Sequence, residues 1–343
     1  MTAGNAARDR PLCHNDAAIG EGKGRDCALP EAGVPFESGW AARALRVLRA
    51  YPELAKIRLA SLVTATTAVG FVMAGPDRSR FAVLLPTVIG TMLAAAGAMA
   101  LNELLEADED ARMRRTRHRP LPAGVVTPRH ALAFGICVAG AGLGVLALFA
   151  NVRTALLGLA VVVVYTLVYT PLKRRSPLCT LAGAVCGAIP PMMGWTAAGA
   201  DLSFGAWLLA GALFLWQIPH FLALAWVYRE DYARGGFVML PVVDPSGRST
   251  GGAAVLYSLA LLPIGVLAAL GGITGWRFAA AALVLGAGLL GLSALLAARR
   301  TEAVARRLFL ATLAYLPLLL GLMVADRAAP ASRLAVALLA AGR

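Results

Sequence analysis

The sequence predicts an all-α polytopic membrane protein of about nine transmembrane helices. Three observations lead there: an apolar excess foreign to soluble domains, a succession of span-length apolar runs, and arginines confined to alternate breaks between those runs. Of the 343 residues, 59% are hydrophobic and 15% charged, with a mean hydropathy of +0.70. Soluble domains run at roughly 45–50% apolar and 25% charged. Since a span needs about 20 mostly apolar residues, the chain beyond residue 56 holds roughly eight to ten helices and no sizeable soluble domain.

Residues 1–45 open the chain as a segment rich in Gly, Ala and charge. It lacks helical periodicity and the apolar core of a secretory signal, and its acids (Asp9, Glu21, Asp26, Glu31) are foreign to a transit peptide. Disorder is expected there. Apolar runs then place spans at 56–75, 81–103, 129–150, 154–172, 178–198, 204–227, 251–273, 277–298 and 307–325, inside a transmembrane domain of 46–328. The tail 329–343 is too short to cross and is expected at the interface.

Loop charge tests this count. Breaks after the second, fourth, sixth and eighth runs carry sixteen Lys and Arg, and the opposite set carries four: Arg78, Arg80, Arg153 and Arg277. By the positive-inside rule the basic set is cytoplasmic, and Arg43, Arg46, Arg49, Lys56 and Arg58 put the N-terminus on that side. The expected location is a bacterial cytoplasmic (inner) membrane. A formal charge of +13 could point to nucleic acid, but these arginines form short clusters between apolar runs and no amphipathic stripe, so nucleic acid is not expected as a partner. The five cysteines include no CxxC and no metal-type pairing with histidine, against structural zinc and a disulfide framework.

The first candidate constellation closes the second span: Asn102, Glu106 and Asp110 at i, i+4 and i+8, followed by Arg112, Arg114, Arg115, Arg117 and Arg119. At helical spacing three oxygen-bearing side chains share one face. Carboxylates crowded at a membrane surface repel one another unless a cation lies between them, and a hard ion such as Mg²⁺ is best served by such oxygens plus substrate phosphates. Arg115 and Arg119 then offer forks for phosphate oxygens. The alternative is that acids and arginines merely pair. A second acidic pair, Glu230 and Asp231 with Arg229 beside it, ends the sixth span on the same face, placed to clamp the other side of a shared anion through a bridging metal. Lys173 and Arg174, closing the fourth span, either complete a phosphate shell or serve as anchors. His220 lies about two turns inside the sixth span, where an ionisable group either serves a ligand or bonds a neighbouring helix. Gly183, Gly187, Pro190, Pro191, Gly194 and Pro219 load the fifth and sixth spans with helix breakers, which can leave a cavity between helices.

Together these motifs resemble the UbiA-type intramembrane prenyltransferases, over about residues 50–325. The family pattern N-x3-D/E-x3-D, then M-x-R-T-x2-R-P-L-x2-G, is matched by Asn102, Glu106, Asp110, Met113, Arg115, Thr116, Arg119, Pro120, Leu121 and Gly124. Four further stretches, Tyr169 to Pro177, Pro190 to Trp195, Trp216 to Phe221 and Asp231 to Val242, resemble the protohaem IX farnesyltransferase (haem O synthase) subgroup. Two departures are Ala107, where that group commonly has arginine, and Val238, where it commonly has proline.

The resemblance implies a nine-helix bundle around a central cavity and a Mg²⁺-dependent transfer of farnesyl from farnesyl diphosphate to a vinyl group of haem B. It implies metal and catalytic roles for Asn102, Glu106, Asp110 and Asp231, a catalytic role for Glu230, and diphosphate contacts from Arg115, Arg119, Lys173, Arg174 and Arg229. It also implies His220 as a haem-binding residue, with a downstream haem A synthase as partner. Two competitors remain at this point. One is a related enzyme prenylating a quinone precursor. The other is an anion transporter, which should place its charges at mid-membrane and show inverted repeats.

Overall fold

The computed structural model describes residues 40–328; the expected disordered head up to residue 39 and the tail from 329 lie outside the described residues. Apolar runs lacking water partners must satisfy their backbone internally, and they do so as helices. In order these are α1 (Trp40–Leu54), α2 (Ile57–Ala74), α3 (Leu84–Leu105), α4 (Ala107–Arg112), α5 (Pro128–Val145), α6 (Val152–Val163), α7 (Thr170–Leu172), α8 (Cys179–Ala197), α9 (Phe204–Val227), α10 (Arg229–Gly235), α11 (Leu240–Val243), α12 (Arg248–Leu270), α13 (Trp276–Arg299) and α14 (Glu302–Ala325). A 3-10 turn (Arg78–Val83) leads into α3, a π-helical turn (Leu146–Ala150) extends α5, and another (Val164–Tyr169) joins α6 to α7. Among the described residues the one strand-like feature is a bridge between Thr274 and Arg327. α1 begins at Trp40, so the last six residues of the stretch expected to be disordered are helical.

Among the described residues eight helices are long and apolar enough to cross a membrane by length and composition. The remaining expected span, 178–198, is α8. Its prolines and glycines dilute its apolarity, yet its 19 residues reach about 28 Å at the α-helical rise. α8 is the innermost helix: Cys179, Ala184, Met193 and Trp195 are among its buried residues, and it packs on α2, α6 and α9. Its small residues explain the closeness. A Cβ added to Gly194 would stand 1.8 Å from the Thr67 carbonyl oxygen, and one on Gly70 2.0 Å from that of Pro191, so α2 and α8 touch backbone to backbone.

Cross-contacts show that the crossings alternate. At one end meet Lys56 with Asn102, Arg174 with Glu109, the Arg114 and Arg115 amides with Asp231, and Gly247 with Trp226 and Arg300. At the other, Asn151 Nδ2 donates to the Thr196 carbonyl, Trp195 Nε1 to that of Asp201, Gly275 N to that of Asp326, and Arg327 Nη1 to that of Val72. The basic loops share the first end. Between the ends the outer surface is apolar, with Leu148, Leu167, Leu256 and Val284 pointing outward, as lipid-facing side chains do.

Gly194→Val should force α2 and α8 apart and cost at least about 3 kcal/mol, read as a lowered unfolding midpoint of the purified protein in micelles. Gly211→Ala, where an added Cβ meets nothing within 4 Å, should leave the midpoint unchanged.

Candidate active site at the arginine-rich end

The acidic row grows out of a break in a helix. α3 stops at Leu105 and α4 restarts at Ala107, with Glu106 between them at φ −106°, ψ 10°. The expected continuous face is therefore kinked. Its register survives because Glu106 N donates to the Asn102 carbonyl at 3.0 Å and Asp110 N to the Glu106 carbonyl at 2.8 Å. Asn102, Glu106 and Asp110 are all buried, as is Glu109, while Asp108 faces out.

Buried carboxylates need cations, and three other segments supply them. The Lys173 ammonium, from the chain just after α7, stands 2.7 Å from Glu106 Oε1 and donates to Oε2 at 3.1 Å. Burial lowers the Lys173 pKa, but the Glu106 carboxylate more than compensates, so it stands above the ordinary lysine value. Tyr169 and Phe237 rings flank the same ammonium at 4.5 and 5.6 Å. Arg119 Nη1 pairs with Asp110 Oδ2 at 2.6 Å, and Thr116 Oγ1 donates to the Asp110 carbonyl. Arg174 Nη2 bonds Glu109 at 2.7 Å and also reaches the Leu105 carbonyl. Lys56, in the break between α1 and α2, donates to Asn102 Oδ1 at 2.9 Å, and Asn102 Nδ2 donates to Thr170 Oγ1 at 3.0 Å. Burial, then the nearby Arg119, brings the Lys56 ammonium down to about 8, against the opposing pull of Glu106.

Asp231, in the first turn of α10, comes to the same loop. Its Oδ1 and Oδ2 accept from the Arg114 and Arg115 amides at 3.2 and 3.3 Å, and Arg234 pairs with Oδ1 at 2.9 Å. Asp110 and Asp231 thus grip the two sides of one short loop, residues 113–119. Arg115 lies over the Tyr228 and Tyr232 rings at 5.1 and 5.9 Å. Glu230, the other member of the pair, is exposed. Among the described residues no hydrogen bond or ion pair ties Arg229 to the acidic row; its guanidinium covers the Trp226 ring at 4.9 Å. His220 lies deeper in α9, bonded to Thr312 of α14. Val238 donates its amide to the Lys173 carbonyl at 2.7 Å, a bond that proline could not make.

Three members of the site are absent from the sequence reading. Glu103 is fully buried, and neither of its carboxylate oxygens has a hydrogen-bond partner in the structure. A carboxylate inside an apolar run is itself a signal of function, but Glu103 stands one residue off the Asn102–Glu106–Asp110 spacing. Glu109 shows its role only through Arg174. Lys56 read as a topological anchor because nothing local distinguishes an anchor from a buried ammonium.

Comparison with known proteins fits this geometry. A model of the UbiA prenyltransferase family matches residues 63–316. The protoheme IX farnesyltransferase of Solibacter usitatus is 42% identical over 289 residues, 82% of this chain and 99% of the relative. That of an Anaeromyxobacter species is 46% identical over 266 residues, 78% and 89% of the two chains. A solved UbiA homologue from Archaeoglobus fulgidus, bound to GPP and Mg²⁺, has a similar fold, with a TM-score of 0.57 at 15% identity over 82% of this chain and 99% of its own. A nine-crossing helical bundle with its acidic row at one end, matched by the family over most of its length, places this chain in the UbiA prenyltransferase family.

Proposed function

We propose that the chain is a protohaem IX farnesyltransferase of the bacterial inner membrane. It moves the farnesyl group of farnesyl diphosphate onto a vinyl carbon of haem B, giving haem O and diphosphate, with the acidic row facing the cytoplasm. The observation that carries this reading is the convergence of buried acids and cations from six segments on one end of the bundle. The acceptor follows from the protoheme IX farnesyltransferases that align over about four-fifths of the chain. The product would pass to a haem A synthase.

The donors present suit Mg²⁺. They are hard oxygens, and Glu103 keeps two buried oxygens without partners. Such an ion takes one or two protein carboxylates and completes its shell with water and substrate phosphates. Asn102, Glu106, Asp110 and Asp231 are the residues from which it would draw them. Once bound, Mg²⁺ neutralises negative charge on the departing diphosphate.

Lys173, Arg119 and Arg174 take phosphate oxygens, exchanging their carboxylate partners for the incoming anion, and Arg115, stacked on Tyr228 and Tyr232, joins them. The allylic C–O bond then breaks and its electron pair leaves with diphosphate. The vinyl carbon of haem attacks the farnesyl cation, and water captures the resulting cation with loss of a proton. Tyr169, over whose ring the Lys173 ammonium lies, and Tyr165, 5.3 Å from it ring to ring, would screen the cation from water.

Incubating membranes with haem B and farnesyl diphosphate should yield haem O, whereas turnover of 4-hydroxybenzoate with haem left untouched would overturn the acceptor. Asp110→Asn and Asp231→Asn should each cut haem O formation by about 100-fold or more while the protein still inserts. Lys173→Met should raise the KM for farnesyl diphosphate and cost about 3–5 kcal/mol by stranding the buried Glu106 carboxylate. Adding Glu106→Gln should restore the unfolding midpoint and leave activity absent, separating the site's chemistry from its packing.

A further inference from the structure

Gln217 is a polar side chain well inside α9, 6% exposed, and neither the acidic row nor its cations use it. Its carboxamide lies across the backbone of α8: a Cβ added to Gly187 would stand 2.1 Å from Oε1. The amide can face only one way. Nε2 donates to the Leu213 carbonyl at 3.0 Å and to that of Ala184 at 3.4 Å, so both its protons are taken, and the flipped amide would set its oxygen against two carbonyl oxygens. These are the hydrogen bonds of this carboxamide among the described residues, and neither involves Oε1. A buried acceptor without a donor costs free energy unless a small donor such as water joins it.

Gly187 supplies a second such acceptor. A helical carbonyl takes its proton from the residue three or four ahead, and ahead of Gly187 those are Pro190 and Pro191, which have no amide proton to give. Helix α8 nonetheless continues through both. Gly187 is half-buried, so a small molecule can reach its backbone.

The depth of this pair follows from the same helix. Cys179 marks the arginine-rich end of α8 by its contact with Met239. One turn deeper, Gly183 lies against Tyr169, where an added Cβ would stand 2.8 Å from Cε2. The Tyr169 ring carries the Lys173 ammonium at 4.5 Å. Gly187 comes one further turn down the same face, about 6 Å along the axis. The carboxamide therefore stands just below the lysine that receives the diphosphate.

We propose that Gln217 Oε1 and the Gly187 carbonyl hold the water that ends the reaction. A water giving both its protons to these oxygens turns a lone pair outward. Farnesyl C1 bonds to the terminal vinyl carbon of haem, which leaves positive charge on the vinyl carbon attached to the macrocycle. The water oxygen bonds to that carbon, and the proton it sheds passes to an oxygen of the departed diphosphate, giving the alcohol. Without this water the same cation loses a proton from the adjacent CH₂ and closes to an alkene. Gln217 thus decides between two products of one cation, and holding a single water in place lets the rest of the site stay dry. This deepens the farnesyltransferase reading and rests on it.

The test incubates the full chain in nanodiscs with haem B and farnesyl diphosphate and separates the products by mass, the alkene being lighter than the alcohol by one water. Wild type should give the alcohol. Gln217→Leu should raise the alkene-to-alcohol ratio by ~10-fold or more, the worth of about one hydrogen bond. The three atoms nearest an added Cβ at Gly187 all belong to the Gln217 carboxamide, so Gly187→Ala should fold, displace that group and shift the ratio the same way. Gly211→Ala should keep the wild-type ratio. A packing role alone would lower the unfolding midpoint and slow both products alike. If Gln217→Leu yields the alcohol alone or loses both products together, the water assignment is wrong and the farnesyltransferase reading stands. Gly187→Ala decides in the same way should the leucine variant fail to insert. If wild type transfers no farnesyl to haem, both readings fall.

Discussion

The site depends on the pairing of charges withdrawn from water. Glu106, Asp110 and Glu109 are buried at the α3–α4 break, and each is held by a cation from elsewhere: Lys173, Arg119 and Arg174. Alone, a buried carboxylate is costly; paired, it fastens two segments at a defined distance. Three stretches of chain, residues 106–110, 119 and 173–174, thus close on one another at a single end of the bundle. Burial of an ion pair is weak evidence for stability, and its retention here fits a site in which an incoming anion and its metal can replace the internal partners one for one.

The helix bundle serves this end. α8 lies in the middle, pressed against α2 at Gly70 and Gly194, and carries Cys179 to the arginine-rich end, where its Sγ meets Met239 Sδ at 3.4 Å. Met239 belongs to the loop that Val238 ties to Lys173. Backbone-to-backbone packing in the membrane and the aim of a lysine at the surface are therefore linked through one short loop. The break at Glu106 has a similar use: it ends α3 without losing the Asn102–Glu106–Asp110 register, so the row turns with the chain towards α10.

Much of the fold was legible in the sequence. The α9 boundaries, 204–227, coincide with the expected span, because Ser203 and Tyr228 bound a clean apolar run. Fidelity was lower where composition does not mark an end. α14 starts at Glu302, five residues before the expected 307, since amphipathic Arg306 and Arg307 continue a helix that hydropathy alone would stop. α1 went unread because a short helix lying before the first span has no span-length signal.

The sequence by itself determined the solvent, the number and alternation of crossings, the end that carries the acids, and the family, because hydropathy, charge asymmetry and motif spacing are properties of local chain. Only the tertiary structure decided which acid meets which cation. It showed that Glu230 faces out while Asp231 turns in, that the Glu103 carboxylate is buried without a hydrogen-bond partner, that Arg229 leaves the acidic row for Trp226, and that His220 bonds Thr312 of α14. Those outcomes depend on side chains from helices tens of residues apart, and burial and hydrogen bonding across such contacts have no signature in the spacing of any one segment.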